Sequence, residues 1–373
     1  MLIQFENFKN FKNHIFDILI VGCGPAGIEL AKNLSPKLNI AMIDIGSLSY
    51  NPKTHEIYKS KEETNYDAET SRLPMIGGSS NHWEGQIRPL NFDQISFYFK
   101  NKENYNEHLI KTSEIFKVKD KFYKKRSLIN NYDEINFFVN NLNFKERFKK
   151  LNKKKIKVFK NALVYNFKQN EIGFKIYLKS VNNLENFTLL SKKLILAGGG
   201  IENARLLRNY VNYNNQRILN YGETKFVEHP SNYNAGKIII SDLINFDSDV
   251  SDKRIQLSFL NNQLNNNFNK LCIIAGEFEN LDINFKEKIL NKNLNRIRRN
   301  KKLYIGNFWT MMEQQSNTSK IEFYKRNKFN LPEFNIFWNL ESYDKDLFIN
   351  GVNEFGKSIL ASEMGLIKFD YNL

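Results

Sequence analysis

Apolar residues along this chain recur with two spacings, and the alternation of the two marks out its elements. Residues 18–21 form a continuous apolar run, Ile-Leu-Ile-Val, and predict a strand buried on both faces. After a glycine turn, Gly27, Leu30, Ala31 and Leu34 fall at i, i+3, i+4 and i+7 and predict a helix. A second apolar run at 40–43 predicts another strand and ends on Asp44. Residues 47–71 lose this periodicity and read as a long polar excursion. Between 91 and 147, aromatics such as Phe97, Tyr98, Phe99, Tyr105 and Phe116 are mixed with Lys and Asn. They predict helices with packed apolar faces, a cap-like segment. From 156 the spacing turns strand-like, at 156–159, 162–165, 174–178 and 187–190. A further apolar run from 193 ends in three glycines, and a helical pattern follows. Beyond 234, strand candidates at 236–240, 303–308, 320–323 and 334–340 predict a mostly antiparallel sheet. Phe348, Val352, Phe355 and Ile359 then predict a last amphipathic helix.

The first block carries chemistry. Strand, tight turn, helix, strand and acid, over residues 17–44, make the dinucleotide-binding fingerprint. Gly22 permits the turn. Gly24 lacks a Cβ, so backbone can approach a pyrophosphate, and Gly27 lets the helix pack close to the strand. Around Pro25, the backbone N–H groups of Ala26 and Gly27 and the positive end of the helix dipole would then face phosphate. Asp44 is the candidate acceptor for a ribose hydroxyl. This block alone leaves the nucleotide, FAD or NAD, open.

Composition narrows the class. The chain has 373 residues, 41% of them apolar, enough for two domains and a large core. No apolar run is long enough for a transmembrane helix, and residues 1–17 lack the h-region of a signal peptide. Two cysteines, Cys23 and Cys272, fit a reducing compartment, and the expected location is cytoplasmic. The net charge of +15, with basic clusters at 149–155 and 296–302, admits a nucleic-acid or anionic-membrane reading. Lysine is abundant throughout, however, so the excess reads as a compositional habit, and no nucleic-acid partner is expected. No Cys/His spacing resembles a zinc site.

Residues 72–90 have the most unusual composition. Gly77, Gly78, Ser79 and Ser80 offer N–H and hydroxyl groups to an anion, and Asn81, His82 and Trp83 follow directly. Here the sequence resembles the glucose–methanol–choline (GMC) oxidoreductase family. The resemblance implies that the GGSS segment wraps the diphosphate of FAD and that Asn81 and His82 lie near the flavin. His82 is then a candidate for a covalent flavin link or for a noncovalent contact. The 197–207 segment, with Ala197, Gly198 and the helical Ile201, Asn203, Leu206 and Leu207, resembles the family's AGG-I-x-N/S-x-x-LL stretch. Val164 matches a family valine whose backbone contacts adenine. Residues 228–230, Glu-His-Pro, resemble a segment where the family's chain leaves the FAD domain. The 313–321 stretch is a looser match to EQ-x-PN-x-x-RI, with Ser316 and Lys320 replacing proline and arginine. A strand meander followed by a glycine-terminated strand also suits a two-part FAD domain better than an NAD domain.

The implied fold is α/β: a doubly wound, Rossmann-like FAD-binding domain at 14–95 and 150–232, with a helical cap-like insertion at 96–149. A substrate domain at 233–373 is expected to be α+β on a mostly antiparallel sheet. The implied activity is FAD-dependent oxidation of a CH–OH group in an alcohol, sugar or polyol, with an unknown electron acceptor. The family ends with a catalytic histidine, and none here matches it, because the last histidine is His229. His82 and His229 are the weak catalytic candidates. Three explanations stay open: a piece of a longer enzyme, a divergent protein with a base at His82, His229 or from another chain, and an inactive flavin-binding remnant.

Overall fold

A central parallel sheet is built where the sequence places its densest apolar runs. The computed structural model describes residues 2–3, 5–61, 65–82, 92–116, 125–129, 132–135, 143–151, 156–210, 224–241, 257–261, 271–281, 297 and 303–370. Trp83, Phe122, Tyr123, Phe137, Phe138 and parts of both basic clusters lie outside them. The chain forms two units. The first comprises Met1–Gly85, Asn141–Phe226 and Ser319–Trp338. The second comprises Gln86–Asn140, Val227–Thr318 and Asn339–Leu373.

In the first unit a seven-stranded sheet runs in the order Leu2–Ile3, Ile156–Phe159, Ile40–Ile43, Ile15–Val21, Asn186–Leu196, Gly173–Ser180, Ala162–Asn170. The first five strands pair in parallel, with Ile18 opposite Ile40 on one side and Lys193 on the other. The last three form an antiparallel meander. Parallel strands need both faces covered, which the continuous runs at 18–21 and 40–43 supply. Leu19, Ile20, Ala41 and Met42 are fully buried. Phe8, Phe16 and Phe159 fill one side, Phe8 edge-on to Phe159 at 4.7 Å between ring centroids. The predicted helix spans Pro25–Asn33. The expected strands at 187–190 and 193–196 are one strand, Asn186–Leu196, carried through Lys192 and Lys193 by pairing with its neighbours.

A hairpin that the sequence pattern assigns to the second domain belongs to this unit. Lys320–Arg326 and Pro332–Phe337 pair antiparallel, and Thr224–Lys225 extends them to three strands. The reason is a buried cation. Arg205, 1% exposed, donates to the Pro332 carbonyl (3.0 and 3.1 Å), the Ile57 carbonyl (3.1 Å) and the Glu202 carboxylate (3.0 Å). Its guanidinium also lies over the Phe334 ring at 4.7 Å. Arg72 pairs with the same Glu202 and donates to the Tyr58 carbonyl. Two cations and one carboxylate thus tie the 47–71 excursion, through Ile57, Tyr58 and the adjoining Arg72, and the hairpin to the helix Gly200–Arg208. A buried charge is tolerated only when partnered this fully.

The second unit is an antiparallel seven-stranded sheet in the order Gly365–Phe369, Ser231–Ser241, Leu303–Met312, Leu271–Asn280, Leu257–Asn261, Tyr132–Ile135, Lys125–Ile129. The predicted last helix, Ser342–Ala361, lays Phe348, Val352, Phe355 and Ile359 on a sheet face made by Ile238, Ile240, Ile273, Ala275 and Phe308. The helix start is pinned by Asp344, which is fully buried. It accepts from the backbone N–H groups of Gln315 (2.8 Å), Ser316 (3.1 Å) and Glu341 (3.2 Å). The segment expected to be a helical cap is mixed. Lys102–Phe116 and Phe144–Lys149 are helices, but Tyr132–Ile135 and Lys125–Ile129 are the last two strands of this sheet, with Lys125–Ile129 at its edge. Neither strand carries an apolar run, so partner pairing rather than local pattern decides them.

Candidate functional site

The glycine turn after Ile15–Val21 stands at the carboxyl ends of the parallel strands, where open α/β sheets bind ligands. Each of its glycines has a different surrounding. Gly22 has φ +105°, and a side chain there would run into the Ala197 carbonyl and stand 2.9 Å from Gly198 N. A methyl on Gly27 would collide with the Gly22 carbonyl oxygen. These two glycines are therefore required by the protein's own backbone. Gly24 differs, because a Cβ there meets nothing within 4 Å. The helix begins directly afterwards, with Pro25 in its first turn and Ala26 and Gly27 next.

The GGSS segment lies against this turn. Gly77 N–H donates to the Cys23 carbonyl at 2.8 Å, and a Cβ on Gly78 would stand 3.2 Å from Gly24 Cα and 3.6 Å from Pro25 Cδ. Residues Gly78–Asn81 form a single 3-10 turn. Ser80 is buried and its hydroxyl donates to the Gly77 carbonyl at 2.6 Å; Ser79 is half-buried. Asn81 Nδ2 donates to the carbonyls of Ile76 and Gly78. Its Oδ1 is buried without a hydrogen-bond partner. His82 closes the turn with its N–H on the Ser79 carbonyl and is exposed.

The sequence reading gave no role to the helix behind this turn. Phe144–Lys149 is capped by the Asn143 side chain, which accepts from Lys145 N–H at 2.8 Å. Lys145 N lies 2.9 Å from where a Gly77 side chain would begin. Arg147 on this helix pairs with Glu29 on the fingerprint helix. The signal was present: an Asn cap, then Phe144 and Phe148 at i, i+4.

Asp44 ends its strand 7% exposed. Oδ2 accepts from Cys23 N–H at 2.7 Å and Oδ1 from Gly46 N–H at 2.8 Å. Burial pushes its carboxyl above the usual range, and the two N–H groups partly offset this. Burial and the nearby Asp44 charge also push the Cys23 thiol up, so it stays protonated. Asp44 thus fastens the glycine turn to the neighbouring strand, and its remaining lone pairs are what a ribose could use. Ala197 N–H donates to the Val21 carbonyl at 2.7 Å, and Gly198 N–H to Asn203 Oδ1 at 3.0 Å. A side chain on Gly199 or Gly200 would meet nothing within 4 Å. Val164 is buried, on the strand Ala162–Asn170, whose first N–H donates to the Asp44 carbonyl at 3.0 Å. The structure brings together the 22–27 turn, Asp44, the 77–81 turn and the 197–198 turn.

His229 lies in the second unit. Its Nδ1 is 3.5 Å from Glu228 Oε1. The Glu228–Pro230 segment runs beside Met312–Gln314, with Met312 N–H on the Pro230 carbonyl and Gln314 N–H on the Glu228 carbonyl. The Glu228 carboxylate first, and Glu313 more weakly, raise the His229 pKa, against an opposing effect of burial. Among the described residues, no group of three or more His, Cys, Asp or Glu could hold a metal ion, and no helix is long and apolar enough to cross a membrane.

Sheet order and glycine-lined turns define a mixed α/β fold, a large parallel sheet with antiparallel sheets beside it, of the class the sequence motifs imply. In particular, the chain is similar in structure to pyridoxine 4-oxidase from Mesorbium loti. The TM-score is 0.54 at 12% sequence identity, covering 94% of this chain and 87% of that one. No family model and no curated protein matches the chain in sequence. At this identity the likeness establishes the fold.

Proposed function

We propose that the chain is an FAD-dependent oxidoreductase acting on a CH–OH group of an alcohol, sugar or polyol. One observation carries the reading. The single glycine of the first turn whose side-chain position is open, Gly24, is the one against which the GGSS turn packs, and the 199–200 turn is open as well. Backbone kept bare without an internal steric reason fits a bound diphosphate. The neighbour in structure is by name an oxidase of pyridoxine, itself an alcohol, which supports the reaction class.

In this reading Gly22, Gly24, Pro25, Ala26, Gly27 and Gly77 to Ser80 hold the diphosphate, with Ala197 and Gly198 closing the same cleft. Asp44 orients the ribose, Val164 lies at the adenine, and Asn81 and His82 stand near the flavin. The buried, unpartnered Asn81 Oδ1 is an acceptor such a ligand can satisfy. FAD supplies a hydride acceptor when bound. Removal of the hydroxyl proton needs a positioned base. The Glu228 carboxylate raises the His229 pKa and so favours the protonated ring, which suits charge stabilisation better than proton abstraction. His82 is then the candidate base or flavin contact on this chain, and the small-molecule substrate and electron acceptor follow from activity screening. The pairing of His229 favours a second reading, a noncatalytic flavin-binding protein.

Purified protein separates the two. The enzyme reading expects a yellow protein whose flavin absorbance bleaches anaerobically on adding an alcohol or sugar. Yellow protein that no such compound bleaches supports the second reading. Folded, colourless protein that takes up no FAD overturns both. Flavin that survives acid precipitation, and is released in His82→Ala, would make the His82 contact covalent.

A further inference from the structure

Three short elements of the first unit close into a ring beside the candidate diphosphate cleft. The turn that opens the fingerprint helix meets the GGSS turn, since a Cβ on Gly78 would stand 3.2 Å from Gly24 Cα. The GGSS turn meets the helix Phe144–Lys149, whose Lys145 N lies 2.9 Å from a Cβ built on Gly77. That helix returns to the first through Arg147, whose Nε donates to Glu29 Oε1. Six residues are too few for a helix to hold by itself, so tertiary contacts keep Phe144–Lys149 in place. The closing pair is well covered, its side chains 16% and 19% exposed. Arg147 Nη2 and Glu29 Oε2 are buried without a hydrogen-bond partner. Removing either residue therefore strands the charge of the other.

We propose that Arg147 and Glu29 are positioning residues for the cofactor. They lock the helix Phe144–Lys149 behind the GGSS turn, and the turn is thereby held against Gly24. This rests on reading the cleft as an FAD site; neither residue is among those placed at the ligand there. Asn81 shares the same support. Its Nδ2 and Oδ1 lie 2.8 and 2.9 Å from a Cβ built on Gly77, the point that Lys145 N also approaches. A ligand that enters between turns already in place spends little free energy on ordering them. Loosening the support therefore acts mostly on how fast the ligand leaves. An exposed ion pair would have little such influence, because water readily replaces either partner.

The test is the rate at which FAD leaves the full chain. It is read as flavin fluorescence recovered on dilution, at a temperature where circular dichroism shows each variant folded. Glu29→Gln and Arg147→Met should each speed release by roughly tenfold. The exchange Glu29→Arg/Arg147→Glu rebuilds the pair and should bring the rate back to within about threefold of the parent. Arg147→Lys keeps the charge without the planar fork, disturbs folding least and should fall between. In a parent whose flavin survives acid precipitation, the same rates are read in the His82→Ala background. Variants that melt earlier yet release FAD at the parent's rate overturn the proposal, because a purely structural role moves only the melting temperature. An exchange variant that releases FAD as fast as the single variants also overturns it. Parent protein that takes up no FAD overturns the FAD reading of the cleft, and the positioning role with it.

Discussion

The two sheets of this protein are specified in different ways. The parallel sheet of the first unit is held by backbone packed against backbone: Gly27 under Gly22, Gly22 under Ala197, and Asp44 bridging two turns through N–H groups. The antiparallel sheet of the second unit is held by side chains, with a helix stripe of Phe348, Val352, Phe355 and Ile359 on one face and a single buried carboxylate at the helix start. Backbone-to-backbone contact tolerates no added atom, whereas side-chain packing can repack. Substitutions in the first unit should therefore be sharper in effect and more local in cause.

Gly27→Ala tests this most severely. The new methyl would overlap the Gly22 carbonyl, and a loss of more than about 4 kcal/mol, or no folded protein, is expected in denaturant unfolding. Gly24→Ala, three residues away, should leave unfolding unchanged and lower retained FAD by about tenfold or more. If both variants fold equally well, the distinction between internal packing and ligand approach fails. Next is Arg205→Met, which leaves Glu202 facing Arg72 alone and frees the Pro332 and Ile57 carbonyls. A cost of about 3–5 kcal/mol is expected, read from the same unfolding curves. A neutral result would remove the reason given for the hairpin's place in the first unit.

Asp344→Ala should cost less, about 2–3 kcal/mol, because it strips the acceptor from three backbone N–H groups. Burial pushes this carboxyl up, but hydrogen bonds from Ser316, Gln315 and Glu341 outweigh it and hold the pKa below the usual carboxylate range. Its contribution is therefore present above the unfolded pKa of about 4 and lost as pH falls through the folded pKa. The alanine variant should show a shallower acid limb. His229 is the smallest effect and has the opposite sign. With its pKa raised by Glu228, it stabilises the fold below the unfolded value of about 6.5, and this is lost as pH rises through the folded pKa. His229→Gln should flatten that slope slightly, since the ring is largely exposed and screened. A steeper slope in the variant would refute the ion pair.

Much of the first unit was legible because its signals are local. Residues 18–21, the three glycines, the 40–43 run and Asp44 fall within one short stretch, and each has a steric or hydrogen-bonding reason that the neighbouring residues supply. The GGSS turn was legible as an anion-facing segment. That it would lie on Gly24 was not, because the contact spans more than fifty residues. Less of the second unit could be read. Phe348 to Ile359 announced their helix by period, but the strands Lys125–Ile129 and Tyr132–Ile135 have no apolar alternation and exist only as partners of other strands. Nothing in the local pattern marked Asp344, whose donors are its own Glu341 N–H and, from the distant loop, those of Gln315 and Ser316.

The sequence by itself determined the nucleotide-type turn, the parallel strands around it and the final helix, since periodicity and glycine placement act over a few residues. Tertiary structure alone decided that Ala197 keeps Gly22 bare while Gly24 stays open, and where the hairpin at Lys320–Phe337 belongs. It also decided that Asp44 fastens the Cys23 turn to its own strand. Each of these depends on groups far apart in the chain meeting at hydrogen-bond distance, where burial and charge set the outcome.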